Sequence, residues 1–157
     1  MPLDTATIVS YTLAYTVSHR DWRRPITTCE TQTTTVRARA SRTAYAALCA
    51  GLVVVIVLEL SRRGTGYWQI PAFAIAPDIA LVFGAGPGLA KGQLHPRAVG
   101  LYNALHRLWG PLVLATLAIA SLVPGGYLIG ALTWAFHIAL DRAIGYGLRS
   151  RDGFQSS

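Results

Sequence analysis

The sequence predicts an all-α integral membrane protein: a bundle of four transmembrane helices with a disordered or loosely ordered N-terminal tail. Of the 157 residues, 52% are hydrophobic and only 13% are charged, whereas soluble domains carry about 25% charged residues. The net charge of +7 comes from basic residues that flank apolar runs. This arrangement is typical of charges that set membrane topology, so no nucleic-acid partner is expected.

Residues 1–42 form a polar segment rich in threonine and arginine. Such a composition cannot bury enough apolar surface to fold by itself, so the segment is expected to be a tail. An upstream extension from a misassigned start is the other interpretation. Cys29 and Cys49 match no metal or redox motif in their spacing.

The predicted membrane domain covers residues 43–148 and a cytoplasmic C-terminal tail follows at 149–157. A span needs about 20 residues to cross a hydrocarbon core of about 30 Å. The second span contains Pro71 and Pro77, and we expect Gly110-Pro111 to kink the third. The four apolar runs lie at about 44–60, 67–83, 98–123 and 127–144.

The fourth span carries two distinct faces. Small residues recur every fourth position from Ala131 to Ala143, which lets another helix approach closely. The opposite face holds Trp134, His137 and Asp141. We therefore expect this helix to contact neighbours on both sides and to lie centrally in the bundle.

The distribution of basic residues predicts the orientation of the spans. Four spans place both termini on one side, together with Lys91 and Arg97 of the second loop, whereas the other side holds only Arg62 and Arg63. By the positive-inside rule both termini are cytoplasmic. The expected location is the inner (plasma) membrane, as a multi-pass protein.

This topology brings costly polar groups to one depth. Asp78, His106, His137 and Asp141 each fall roughly 5–15 Å below the cytoplasmic interface at 1.5 Å per residue. An aspartate in the middle of a span costs roughly 3 kcal/mol, so the carboxylates need partners. The wider candidate cluster adds Tyr102, Asn103, Arg107, Arg142 and Tyr146.

Three functions remain open for this cluster. The first is a structural polar network in which ion pairs and hydrogen bonds fix the register of the helices. The second is a membrane-embedded metal-dependent hydrolase acting on a lipid or phosphoester, with zinc or manganese held by Asp78, His106, His137 and Asp141. The third is a subunit of a proton- or ion-coupled transporter. The lipid bilayer is the expected partner, and a homo-oligomer stays open.

Three motifs resemble a known family. Pro77-Asp78, Tyr102-Asn103-x-x-His106 and His137-x-x-x-Asp141-Arg142-x-x-Gly145-Tyr146-Gly147-Leu148 resemble the uncharacterised bacterial membrane family called domain of unknown function 4260. The resemblance covers about residues 44–154 and implies a small four-helix membrane protein with no known activity.

The order of the motifs is also similar to that of inner-membrane proteins described as metal-dependent hydrolases. Those proteins carry a Pro-Asp-x-Asp element and a histidine pair. Here Ala80 replaces the second aspartate and His106 alone stands for the pair.

Overall fold

The computed structural model describes residues 27–155, with side chains described from residue 36. Helix α1 covers Thr27–Arg63, α2 Gln69–Ile75, a 3₁₀ turn Ala76–Asp78, α3 Ile79–Gly84, α4 Pro96–Leu105, α5 Trp109–Ile119 and α6 Tyr127–Ile144. Between residues 27 and 155 there is no β-strand, only an isolated bridge between Arg149 and Gln155. The all-α prediction is therefore confirmed for the described residues.

Helix α1 begins at Thr27, well before the predicted end of the tail at residue 42. The earlier part of the predicted tail lies outside the described residues. A boundary between two units of the chain falls between Ala38 and Arg39. The candidate functional residues all belong to the second unit.

Among the described residues, one helix is long and apolar enough to cross a membrane by its length and composition. The candidate span is the part of α1 at Val36–Arg63, which has 28 residues and a length of about 42 Å at 1.5 Å per residue. The segments Gln69–Gly84 and Trp109–Ile119 are shorter apolar helices. The length and composition of the described helices thus support the first predicted span, and the other three do not pass this test.

The second predicted span is interrupted at Pro77, the second of its two prolines. Pro71 lies in the first turn of α2, and Pro77 lies in the 3₁₀ turn between α2 and α3. Proline has no N–H to donate to the preceding turn, so the helix cannot continue regularly through Pro77. The interruption places Asp78 at the junction with α3.

The third predicted span is also broken, but slightly before the predicted kink. Helix α4 ends at Leu105 and α5 begins at Trp109, with Gly110 and Pro111 in the first turn of α5. A proline is tolerated in a first turn, where its missing N–H has no helical partner. The break therefore falls on the N-terminal side of Gly110-Pro111.

Trp134 of α6 fills this break. Its indole Nε1–H donates to the Leu105 carbonyl at 2.8 Å, one of the carbonyls that the end of α4 leaves without a helical partner. A Cβ added at Gly110 would lie only 2.6 Å from the Trp134 ring. Gly110 thus permits close packing of α5 on α6.

Helix α6 packs on both α2 and α5, as its two faces predict. At Gly130 an added Cβ would lie 2.6 Å from the Phe73 ring of α2. Ala131 and Ala139 are buried. The helix ends at Ile144 and is capped by Gly145, whose φ of 99° is left-handed and suits a residue without a Cβ.

The chain after α6, the C-terminal loop (residues 145–155), folds back over α4. Asn103 donates from Nδ2 to the Arg149 carbonyl and accepts from the Arg149 amide, both at 2.8 Å. The Leu94 amide donates to the Gly153 carbonyl at 3.0 Å. The region predicted as a tail from residue 149 is therefore, up to residue 155, a packed part of the unit that holds the candidate site.

Candidate metal centre

The four side chains predicted to hold a metal face one another in the structure. Nε2 of His106 lies 3.4 Å from Oδ1 of Asp78 and 3.4 Å from Oδ2 of Asp141. Nε2 of His137 lies 3.7 Å from each of the same two oxygens. The two imidazole Nε2 atoms are 3.4 Å apart.

Three of the four residues form a compact set of ligand atoms. Asp78, His106 and His137 each offer one atom, and these atoms all lie within 4.8 Å of one another. Asp141 contacts both imidazoles but lies outside this set. The set of three therefore forms the core of the centre, and Asp141 flanks it.

The site is closed on one side and open on the other. The side chain of His106 is 2% exposed, that of His137 13%, that of Asp141 19% and that of Asp78 42%. The imidazoles therefore form the floor of the site. The carboxylates form its mouth.

His106 is oriented by the end of its own helix. It is the C-cap residue of α4, and its ring Nδ1 lies 2.9 Å from the Tyr102 carbonyl. Because a carbonyl only accepts, Nδ1 carries the proton. In the neutral ring, the lone pair is then on Nε2, which faces His137 and the carboxylates. Tyr102 also stacks on the imidazole with ring centroids 3.9 Å apart.

Asp78 is held in the site by the interruption of the second span. It occupies the N-cap position of α3, yet its side chain makes no capping hydrogen bond. An N-cap aspartate usually accepts from the backbone of the first turn. Here the carboxylate is turned towards the two histidines instead.

The remaining predicted cluster residues take other positions. Arg142 donates from Nη2 to the His106 carbonyl at 3.2 Å and from Nη1 to the Tyr146 carbonyl at 3.0 Å. Asn103 binds the backbone of Arg149. Arg107 is exposed, and within residues 36–155 it forms no ion pair with Asp78 or Asp141.

A cavity of about 310 Å³ opens onto the mouth of the site. Its lining includes Asp78, Leu81, Tyr102, Asp141, Tyr146, Arg149 and Gln155. The sequence did not point to Arg149 and Gln155, because they follow α6 in the region predicted as a tail. The signal for them was the glycine motif at 145–147, which allows the chain to reverse after α6.

Comparison with known proteins identifies a family without assigning an activity. No curated protein and no solved structure matches the chain. One family model, described as "Domain of unknown function (DUF4260)", matches residues 43–157 and so includes the four residues of the centre. With most of its length matched, and with the motifs that carry the resemblance inside the match, the chain belongs to the DUF4260 family.

Proposed function

We propose that this chain is embedded in the membrane and binds a divalent metal ion. The proposed centre is of the hydrolytic type, with one coordination position left open for water. The observation that carries the proposal is the set of separations among the ligand atoms of Asp78, His106, His137 and Asp141, each 3.4 or 3.7 Å. The geometry favours this function over the structural polar network, the first of the three functions that the sequence leaves open.

These separations suit ligands around an ion better than they suit direct hydrogen bonds. Charge-assisted N–H···O⁻ bonds are about 2.7–2.9 Å long, and every His–Asp separation here is longer. Ligand atoms held about 2.0–2.2 Å from a tetrahedral ion lie roughly 3.3–3.6 Å from one another. The triangle of Asp78, His106 and His137 has sides of 3.4, 3.4 and 3.7 Å and matches one face of such a tetrahedron.

The hydrogen bond on the far side of His106 supports the same conclusion. Metal-binding histidines usually donate their second ring N–H to a carbonyl or carboxylate, which fixes the tautomer and the direction of the ring. The contact of Nδ1 with the Tyr102 carbonyl at 2.9 Å is such a bond. The imidazole is therefore already oriented to present Nε2 as a ligand.

The donor set indicates the class of metal. Two imidazoles and a carboxylate suit zinc, and the carboxylates also suit manganese. Three protein ligands leave a position open, as in catalytic zinc sites. A divalent ion held by these residues would supply activated water for hydrolysis at neutral pH. The chain's own contribution is to fix the two imidazoles and to leave the mouth at Asp78 and Asp141 accessible.

The outward-facing surface of several helices supports a location in the bilayer. Large apolar side chains are exposed on α1, α3, α5 and α6: Val54 is 58% exposed, Val82 70%, Ile119 71% and Ile144 59%. Soluble proteins rarely expose large contiguous apolar patches. The proposal therefore retains four membrane-crossing segments, with the second and third broken at the site and both termini cytoplasmic, as the basic residues predict.

Broken helices are compatible with this location. Irregular backbone at membrane depth is tolerated where it is covered by protein or lines a polar cavity. The break after α4 is capped by Trp134 and by Arg142, which donates to the His106 carbonyl. Both interruptions supply a residue of the centre, which gives the breaks a function.

Metal analysis of the purified protein tests the proposal. After metal removal and reloading in detergent, we expect equimolar zinc or manganese in the native chain and little in His106→Ala or His137→Ala. The matched control is His95→Asn, because His95 lies outside the cluster and its Nδ1 accepts from the Arg97 amide at the start of α4, a cap that asparagine can replace.

Two results would contradict the metal centre. One is equal metal content in the native chain and His137→Ala. The other is a metal-free native chain whose melting temperature falls sharply in Asp78→Asn. The second result would restore the structural polar network, in which ion pairs and hydrogen bonds between the helices fix their register.

A further inference from the structure

The cavity at the mouth of the metal centre is lined by both acidic and basic side chains. Asp78 and Asp141 contribute to its lining near the histidines, and Arg149 contributes to it from the C-terminal loop. Once a divalent ion balances the two carboxylates, Arg149 is the remaining formal charge in this lining. The filled site would therefore attract an anion.

Arg149 is held in place by contacts with its surroundings. Its Nη1 donates to the carbonyls of Gly92 at 2.8 Å and Gly153 at 2.7 Å. Its guanidinium carbon lies 5.0 Å from the centroid of the Tyr102 ring, within the range of a cation–π contact. The side chain is thus ordered before any ligand arrives, which lowers the entropic cost of binding.

One donor of this arginine has no partner. Its Nε is buried and makes no hydrogen bond within the described part of the chain. A buried donor without an acceptor is unfavourable. Because Arg149 contributes to the lining of the cavity, a small shift of its guanidinium would let an oxyanion in the cavity supply that acceptor. Gln155 and Tyr146 also line the cavity and add polar groups that suit such a ligand.

We propose that this cavity binds a phosphate group between the metal centre and Arg149, with Gln155 beside it. The inference rests on the proposed metal function. A metal ion and an arginine placed on either side are a recurrent arrangement for binding phosphoryl oxygens. The volume of about 310 Å³ is at the lower end of the roughly 300–1,000 Å³ of ligand pockets. It therefore suits a headgroup-sized moiety.

Phosphorus NMR on protein loaded with manganese tests the site directly. Paramagnetic Mn²⁺ accelerates relaxation of any phosphorus nucleus bound beside it. We expect inorganic phosphate to relax faster with the native Mn²⁺ protein than with an equal amount of the metal-free protein. Repeating the measurement with phosphatidic acid in nanodiscs distinguishes free phosphate from a lipid headgroup as the source.

Variants separate binding of the anion from folding of the loop. Arg149→Gln should weaken phosphate binding by about tenfold or more, the effect of losing a charged hydrogen-bond donor. The same variant should bind metal at least as tightly as the native protein, because a nearby positive charge has been removed. A purely structural role for Arg149 would instead lower both affinities.

Gln155→Glu is the second variant. Its carboxylate can still accept from the Gly147 amide, which lies 2.7 Å from Gln155 Oε1, but it adds a negative charge to the cavity. Phosphate binding should fall about tenfold. Arg151→Gln is the matched control, because Arg151 is exposed in the same loop, and its phosphate affinity should equal that of the native protein.

The outcomes distinguish this inference from the proposed function. A native protein that binds no metal would overturn both. Metal binding with phosphate relaxation equal to that in the presence of the metal-free protein would overturn the phosphate site alone. Equal phosphate affinities in the native protein, Arg149→Gln and Gln155→Glu would do the same.

Discussion

At the scale of single residues, the centre depends on which atom each side chain presents. His106 presents Nε2 because its Nδ1 is bound to the Tyr102 carbonyl. His137 and Asp141 lie one helical turn apart, and their facing atoms are 3.7 Å apart. The sequence predicted this last pairing directly, because residues four apart share a helix face.

The two aspartates are expected to differ in their contribution to metal binding. Asp78 belongs to the set of three ligand atoms, whereas Asp141 flanks it. Asp141→Asn should weaken metal affinity by about 10–100-fold, the usual effect of losing a group that supports a ligand. Asp78→Asn should weaken it further.

Equilibrium dialysis of zinc against a competing chelator measures both affinities. His95→Asn provides the control for a change outside the cluster. If Asp141→Asn proves the more damaging of the two aspartate substitutions, the assignment of Asp78 as the ligand and Asp141 as the flanking residue is wrong.

At the scale of elements, breaks in two helices bring the site residues together. Composition and proline positions predicted that the second and third spans are irregular. They could not place the second break, because the cap from Trp134 to the Leu105 carbonyl is a contact between residues distant in sequence. Arg149 was missed for the same reason: the glycines at 145–147 indicate only that the chain can reverse, and its position also depends on Asn103, which is distant in sequence.

Close packing of α6 on α2 predicts a stability effect at Gly130. An added Cβ would lie 2.6 Å from the Phe73 ring, so Gly130→Ala should destabilise the fold by about 1–3 kcal/mol through overpacking. Gly51→Ala is the matched control. Its added Cβ has no neighbour within 4 Å, and alanine favours a helix over glycine.

Thermal unfolding in detergent compares these two variants. The melting temperature should fall in Gly130→Ala and should stay equal or rise in Gly51→Ala. Equal melting temperatures for Gly130→Ala and the native protein would show that α2 and α6 do not pack as closely as described.

The C-terminal loop should be released by a change at Asn103. Its side chain makes two hydrogen bonds of 2.8 Å with the backbone of Arg149. Asn103→Leu removes both, at about 0.5–1.5 kcal/mol each. Residues 145–155 should then exchange their amide hydrogens faster, whereas α6 keeps its protection. Unchanged exchange in this loop would contradict its anchoring by Asn103.

At the scale of the whole molecule, the two histidines of the centre are largely buried, whereas large apolar side chains on several helices are exposed. His106 is 2% exposed, whereas Val54 and Val82 are 58% and 70% exposed. Low charge content and apolar runs predicted this general character. By length and composition, the described helices include one candidate membrane span, Val36–Arg63, so the proposed multi-pass topology depends on the exposed apolar side chains and the basic flanks.

The bilayer assignment predicts a position-dependent cost of charge on α1. Val54 lies well inside the candidate span, whereas Val36 is its first residue. Val54→Arg should disfavour insertion by roughly 2.5–3.5 kcal/mol, the cost of an arginine near the centre of a span. Val36→Arg should have little effect.

Alkaline extraction of membranes measures this difference. The native chain and Val36→Arg should stay in the membrane pellet, and a larger fraction of Val54→Arg should be released. Complete release of the native chain would contradict its placement in the bilayer.

X-ray absorption spectroscopy on the zinc-loaded protein tests the central claim most directly. We expect two imidazole nitrogens and at least one carboxylate oxygen about 2.0–2.2 Å from the ion. One imidazole should be lost in His137→Ala, and the shell should be unchanged in His95→Asn. A zinc shell without imidazole, or one that His137→Ala leaves unaltered, would contradict the metal centre formed by Asp78, His106 and His137.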